Sequence, residues 1–168
     1  ELPLAPKTIR KIWKEAGFAS RKRPKKHRTK NNLRAVKKRY RLFERMVEDT
    51  KDLGDIPEYW PAMNALKLPT VQYTFREVSC GILCLGFATQ RSLTHAQLFA
   101  VYVNHFLKKF RALPEASIRQ TDNGSEYIGA WNAKEPSAYT RTIEALPGQQ
   151  HRTIPPGAHT MQSDVETV

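Results

Sequence analysis

Three acids raise the question of chemistry. Asp122 closes the run Ile118-Arg119-Gln120-Thr121-Asp122 and stands directly before Asn123-Gly124. Asp49 lies inside a run from Phe43 to Leu53, and Glu166 ends Gln162-Ser163-Asp164-Val165-Glu166. A carboxylate at the C-terminal end of a strand is well placed for chemistry, because sites in sheet proteins gather there. Three carboxylates converging on one sheet would offer hard oxygen ligands, which select Mg²⁺ or Mn²⁺. Two such ions about 4 Å apart suit phosphodiester chemistry, activating the attacking oxygen and stabilising the leaving one.

Each acid also has a plainer reading. Asp-Asn-Gly fits a hairpin turn, since Asn and Gly both tolerate positive φ. Asp49 fits a solvent-facing strand acid, as Glu48 and Asp52 are expected to be. Ser163-x-x-Glu166 fits a capping box, in which Glu satisfies a helix N-terminus. Asp164 competes with Glu166 as the third acid.

The elements that must position these acids can be read from periodicity. The alternation from Phe43 to Leu53 predicts a first strand. Residues 54–68, rich in Pro and aromatics, read as a loop. Pro69 to Val78 predicts a second strand. Cys80 to Ala88 predicts a third, so uniformly apolar that a central place in the sheet is expected. Leu93 to Leu113 predicts a helix ended by Pro114, with Leu98, Val101, Tyr102, His105, Phe106, Lys109 and Phe110 on one face. Ile118 to Thr121 predicts a fourth strand, Ser137 to Leu146 a helix, and Gln149 to Ile154 a last short strand. Pro155-Pro156-Gly157 forces a loop, and a helix begins near Thr160. The fold class is α/β, a sheet part antiparallel and part parallel. In such a sheet the first and fourth strands can be neighbours, which would bring Asp49 to Asp122.

Charge divides the chain. Of 168 residues, those from 1 to 45 hold 17 Lys/Arg against three acids, and the rest hold 11 against 13. A basic appendage on a near-neutral domain points to a polyanion, most simply nucleic acid. Residues 6–18 predict a short helix with Thr8 near its N-cap and Gly17 as C-cap. Ile9, Ile12, Trp13 and Ala16 form one face, and Arg10, Lys11 and Lys14 lie on the other. Residues 20–38 carry Arg21, Lys22, Arg23, Lys25, Lys26 and Arg28 with almost no apolar residues. They read as a linker that contacts phosphates with little sequence specificity. No run approaches the ~18 apolar residues of a membrane span, so no membrane partner is expected. Cys80 and Cys84 read as small buried thiols of a reducing compartment. The five histidines show no zinc-like spacing with them.

As a set, Asp49-Thr50-Lys51-Asp52, then Thr121-Asp122-Asn123-Gly124-Ser125-Glu126, then Pro155-Pro156-Gly157-Ala158-His159 through Glu166, resembles the catalytic core of DDE transposases and retroviral-type integrases. It is most similar to bacterial insertion-sequence transposases. The resemblance covers about residues 40–168. Residues 1–19 resemble the end of a helix-turn-helix region, and 20–39 a basic linker. The resemblance implies a ribonuclease-H-like fold, with Asp49, Asp122 and Glu166 as the catalytic, metal-binding triad holding two Mg²⁺ or Mn²⁺ ions. It implies polynucleotidyl transfer on DNA, at element ends and target, by a homo-oligomer in the bacterial cytoplasm, close to the nucleoid. Asn123 and Gly124 would shape the turn beside Asp122. Lys51 would contact phosphate, and His159 and Gln162 DNA or metal-bound water. The family more often ends in Asn-Gly-x-x-Glu. Because the chain stops two residues after Glu166 and begins without Met, it is expected to be a fragment with little activity by itself. Two alternatives remain: a non-catalytic nucleic-acid-binding protein, and a nuclease of the same fold.

Overall fold

A computed structural model describes residues 5–18, 37–130 and 132–155. The chain divides into two units, Glu1–Asn32 and Leu33–Val168.

In the first unit, helix α1 spans Pro6–Glu15. Proline suits a first helical position, where its missing N–H costs nothing. The N-cap is Ala5, with no side-chain cap, so the expected role of Thr8 is not met; its N–H instead donates to the Ala5 carbonyl. The C-terminal end runs through Ala16 to Gly17, whose φ of +74° favours glycine. The apolar face reaches solvent, with Trp13 59% exposed.

The second unit is built on a five-stranded sheet ordered β3-β2-β1-β4-β5. The strands are β1 Arg45–Asp52, β2 Val71–Glu77, β3 Leu83–Ala88, β4 Ser117–Thr121 and β5 Gln149–Thr153. The first three form an antiparallel meander, and β4 and β5 run parallel to β1. The first and fourth strands are therefore neighbours, as expected. Helix α3 (Leu93–Lys109), the single turn α4 (Ser125–Ile128) and α5 (Ala138–Glu144) join a core with the sheet. That core holds Met46, Tyr73 and Phe75 from strands and Phe99, Val103, Leu107, Tyr127, Tyr139 and Ile143 from helices. The expected helix from Ser137 is found as α5, with Ser137 as its N-cap and Ser137 Oγ accepting from the Thr140 N–H.

Four expectations are corrected. Residues 54–68 are not a plain loop: 3-10 turns at Leu53–Asp55 and Pro57–Tyr59 lead into helix α2, Trp60–Leu66. Pro57 and Pro61 fall in first-turn positions, where proline starts a helix rather than breaking one. Strand β3 is at an edge, not the centre, and Leu83, Leu85 and Phe87 are exposed along one face. An apolar run alone does not separate a central strand from an edge strand with one bare face. Helix α3 buries Ala96, Phe99, Ala100, Val103, Asn104 and Leu107, and leaves Leu98, Val101, Tyr102, Phe106 and Phe110 exposed. Both stripes have helical spacing. The buried one carries Ala96 and Ala100, which let the helix approach the sheet closely. Finally, Cys80 is exposed in the turn before β3, and Cys84 is only part-buried. No described helix is long and apolar enough to cross a membrane.

Candidate active site

The register of β1 with β4 pairs Arg45 with Ile118, Met46 with Arg119 and Val47 with Gln120. Continued two residues, it sets Asp49 level with Asp122, which directly follows β4. Asp49 pairs on its other side with Thr74 of β2. Both acids are part-buried, Asp49 within β1 and Asp122 just past the C-terminal end of the adjacent parallel β4.

The turn after Asp122 is not a hairpin, and neither Asn123 nor Gly124 takes positive φ. The chain passes straight into α4, with Gly124 as its N-cap. The Asp122 carboxylate accepts from the Gly124 N–H at 2.8 Å, and Asn123 Nδ2 donates to the Ile154 carbonyl at 2.9 Å. The second bond ties the turn to the end of β5. Gly124 is needed for space rather than conformation. A Cβ there would sit 2.5 Å from Glu126 Oε2 and 2.9 Å from Asp122 Oδ1.

Beneath the two acids lies a charged network that strand alternation alone did not reveal. Glu48, expected to face solvent, is 1% exposed and meets Arg119, also 1% exposed, at 3.1 Å. Tyr139 donates to Glu48 Oε2 at 2.7 Å, and Arg119 Nη2 donates to Asn104 Oδ1 at 2.6 Å. The Arg119 guanidinium also stacks over the Phe75 ring. Burial raises the Glu48 carboxyl above its ordinary value, with Arg119 and the Tyr139 hydrogen bond opposing. Burial, and then the negative charge of Glu48, pushes the Tyr139 phenol well up. His151 on β5 bridges Thr121 Oγ1 through Nε2 and Thr140 Oγ1 through Nδ1, at 2.9 and 2.8 Å. Burial, and then Arg119, lower its pKa to about 4. One signal for this network was in the sequence. Asn104 interrupts an apolar helical stripe, and a polar group there needs a buried partner.

The other expected site residues are placed as follows. Lys51 is exposed near the end of β1, opposite Gln72. Arg10, Lys11 and Lys14 are exposed on α1, and Lys11 lies 3.9 Å from Glu15 in an open ion pair of small energetic weight. Arg21, Lys22, Arg23, Lys25, Lys26, Arg28, His159, Gln162, Asp164 and Glu166 fall outside the described residues. Glu126, buried beside Asp122, was not singled out by sequence reasoning.

Asp49 and Asp122 are hard oxygen donors of the kind Mg²⁺ or Mn²⁺ requires. Glu126 Oε2 and Asp122 Oδ1 both close on the point over Gly124, so a second carboxylate stands beside that of Asp122. The donor set fits a divalent ion. Among the described residues, however, no group of three or more His, Cys, Asp or Glu could hold a metal.

No family model matches the sequence, and no curated protein matches it. Among solved structures, the chain is similar to one of the simian T-cell lymphotropic virus intasome in complex with PP2A regulatory subunit B56 gamma. That match has 16% identity and a TM-score of 0.52, and it covers 77% of this chain and 38% of the other. A second similarity is to the Mos1 transposase paired-end complex with left transposon end, at 14% identity and a TM-score of 0.43, covering 92% and 51%. The chain thus spans between about two-fifths and half the length of these structures. The mixed sheet with helices, matched to the first, has the ribonuclease-H-like fold.

Proposed function

We propose that this chain carries the catalytic strands of a transposase or integrase, which cuts and joins DNA by polynucleotidyl transfer. The observation that carries this reading is the level placement of Asp49, within β1, and Asp122, just past the neighbouring parallel β4, in a ribonuclease-H-like sheet. Glu166 is proposed as the third carboxylate. Bound between these carboxylates, two Mg²⁺ or Mn²⁺ ions would lower the pKa of the attacking hydroxyl and offset charge on the leaving oxygen. The reaction is an in-line displacement at phosphorus: water or a 3′-hydroxyl attacks, and the 3′-oxygen of the cut strand leaves. The role of Asp49 and Asp122 is to hold a fixed pair of anionic ligands on a rigid sheet. Lys51, close to Asp49 in sequence and exposed, would hold a phosphate flanking the scissile one. Arg10, Lys11 and Lys14, with the basic run from Arg21 to Arg28, would add contacts to the DNA backbone. Such contacts give salt-dependent affinity and little sequence choice. Assembly of several copies on paired DNA ends belongs to the same proposal.

Two measurements test it. In calorimetric titration with Mn²⁺, the protein should bind the ion, and Asp49→Ala and Asp122→Asn should each lose at least ten-fold in affinity. In a longer protein carrying this chain, Mn²⁺-dependent nicking of DNA should vanish with Asp122→Asn. An unchanged nicking rate in that variant would rule out the triad.

A further inference from the structure

Glu126 lies four residues beyond Asp122, is 3% exposed, and has no part in the triad. Its carboxylate faces three elements at once. Oε1 accepts from Thr50 Oγ1 at 2.5 Å, and Thr50 is the neighbour of Asp49 on β1. The same oxygen faces Arg91 Nε at 3.7 Å, from the segment that leads into α3. Oε2 lies over Gly124, against the same point in space that Asp122 Oδ1 approaches. A buried carboxylate is costly unless it is paired and hydrogen-bonded. Here it is both: Thr50 of β1, next to Asp49, hydrogen-bonds it, and Arg91 pairs with it from the segment between β3 and α3.

We infer that Glu126 is a positioning residue, a clamp that sets the separation of Asp49 and Asp122 by holding Thr50 of β1 against the turn after β4. The inference rests on the proposed triad and adds a residue to its support. The pairing of β1 with β4 stops at Val47 and Gln120, two residues short of the acids. Beyond that point, the Thr50–Glu126 bond is a side-chain link between β1 and the segment after β4. Gly124 follows from the same arrangement, because any side chain there would push the Glu126 and Asp122 carboxylates apart.

The test is Mn²⁺ affinity by calorimetry on the full chain, with the unfolding midpoint of the metal-free protein measured alongside. The variants are Thr50→Val, Thr50→Ser, Glu126→Gln and Asp122→Asn. Thr50→Val removes the donor without altering charge, so a change there reports geometry rather than the field at the ion. The expected result is a three- to ten-fold loss of Mn²⁺ affinity in Thr50→Val at a nearly unchanged midpoint. Thr50→Ser, which restores the hydroxyl, should return to within two-fold of the parent, and Glu126→Gln should weaken binding at least as much as Thr50→Val. If Thr50→Val and Glu126→Gln bind Mn²⁺ like the parent while Asp122→Asn does not, the clamp is overturned and the triad stands. If the parent fails to bind, or Asp122→Asn binds equally well, the triad reading falls and the clamp with it.

Discussion

Acidification should loosen this fold through one imidazole. His151 is held between two threonine hydroxyls and packs edge-to-face with Tyr139, the ring centroids 4.9 Å apart. Burial, and then the Arg119 charge, lower its pKa from 6.5 to about 4. A group depressed in the folded state contributes stability that is fully present above its unfolded value and is lost as pH falls through the folded one. The window here runs from 6.5 down to about 4. Linkage sets the slope at about 1.4 kcal/mol per pH unit inside that window. From pH 7.5 to pH 5 the loss is about 1–2 kcal/mol once the partial exposure of the ring is allowed for. Glu48 works in the opposite sense. Its raised value means stability that is present below the unfolded 4.5 and lost as pH rises through the folded value. Its contribution is removed by comparing the parent with His151→Gln at both pH values. Urea unfolding followed by circular dichroism should show the variant less stable at pH 7.5. Between pH 7.5 and 5, the variant should lose about 1–2 kcal/mol less than the parent. Equal losses in the two proteins would refute the assignment, as would a His151 ring titrating near 6.5 by NMR.

Other predictions concern the same region. Arg119→Met leaves Glu48 buried and unpaired, and should cost about 3–5 kcal/mol in urea unfolding, whereas Arg119→Met with Glu48→Leu should cost less than the single change. Gly148 combines a φ of +74° with a would-be Cβ only 1.7 Å from the Glu115 carbonyl oxygen. Gly148→Ala must therefore move the backbone and should destabilise by about 3 kcal/mol or more, read as a fall in the thermal midpoint. By contrast, Tyr102→Ser and Phe110→Ser on the exposed stripe of α3 should change unfolding free energy by about 0.5 kcal/mol or less.

Much of the sheet was legible from local pattern. Strand alternation at Phe43–Leu53 and Pro114 are local signals, and they mark β1 and the end of α3 to within a few residues. The charge division between the two halves was equally plain, because it needs no geometry. What local pattern could not decide was direction. Helix α3 has apolar residues on two stripes, and only packing against β2 and β3 selects the one with Ala96 and Ala100. Strand β3 reads as central because nothing in an apolar run states how many neighbours it has. Glu48 and Asp49 are adjacent acids on one strand with opposite fates. One faces Arg119 under the helices, and the other stands level with Asp122.

By itself, then, the order of residues determined most of the elements, their sequence along the chain and the division of charge. Those properties depend on neighbours within a few positions. The tertiary structure alone decided that Glu48 is paired with Arg119 and that Glu126 bonds to Thr50. It also decided that Gly124 is required for room and not for a turn. Each of these joins residues from different elements, and burial of a charge is settled only when the partner arrives from elsewhere in the chain.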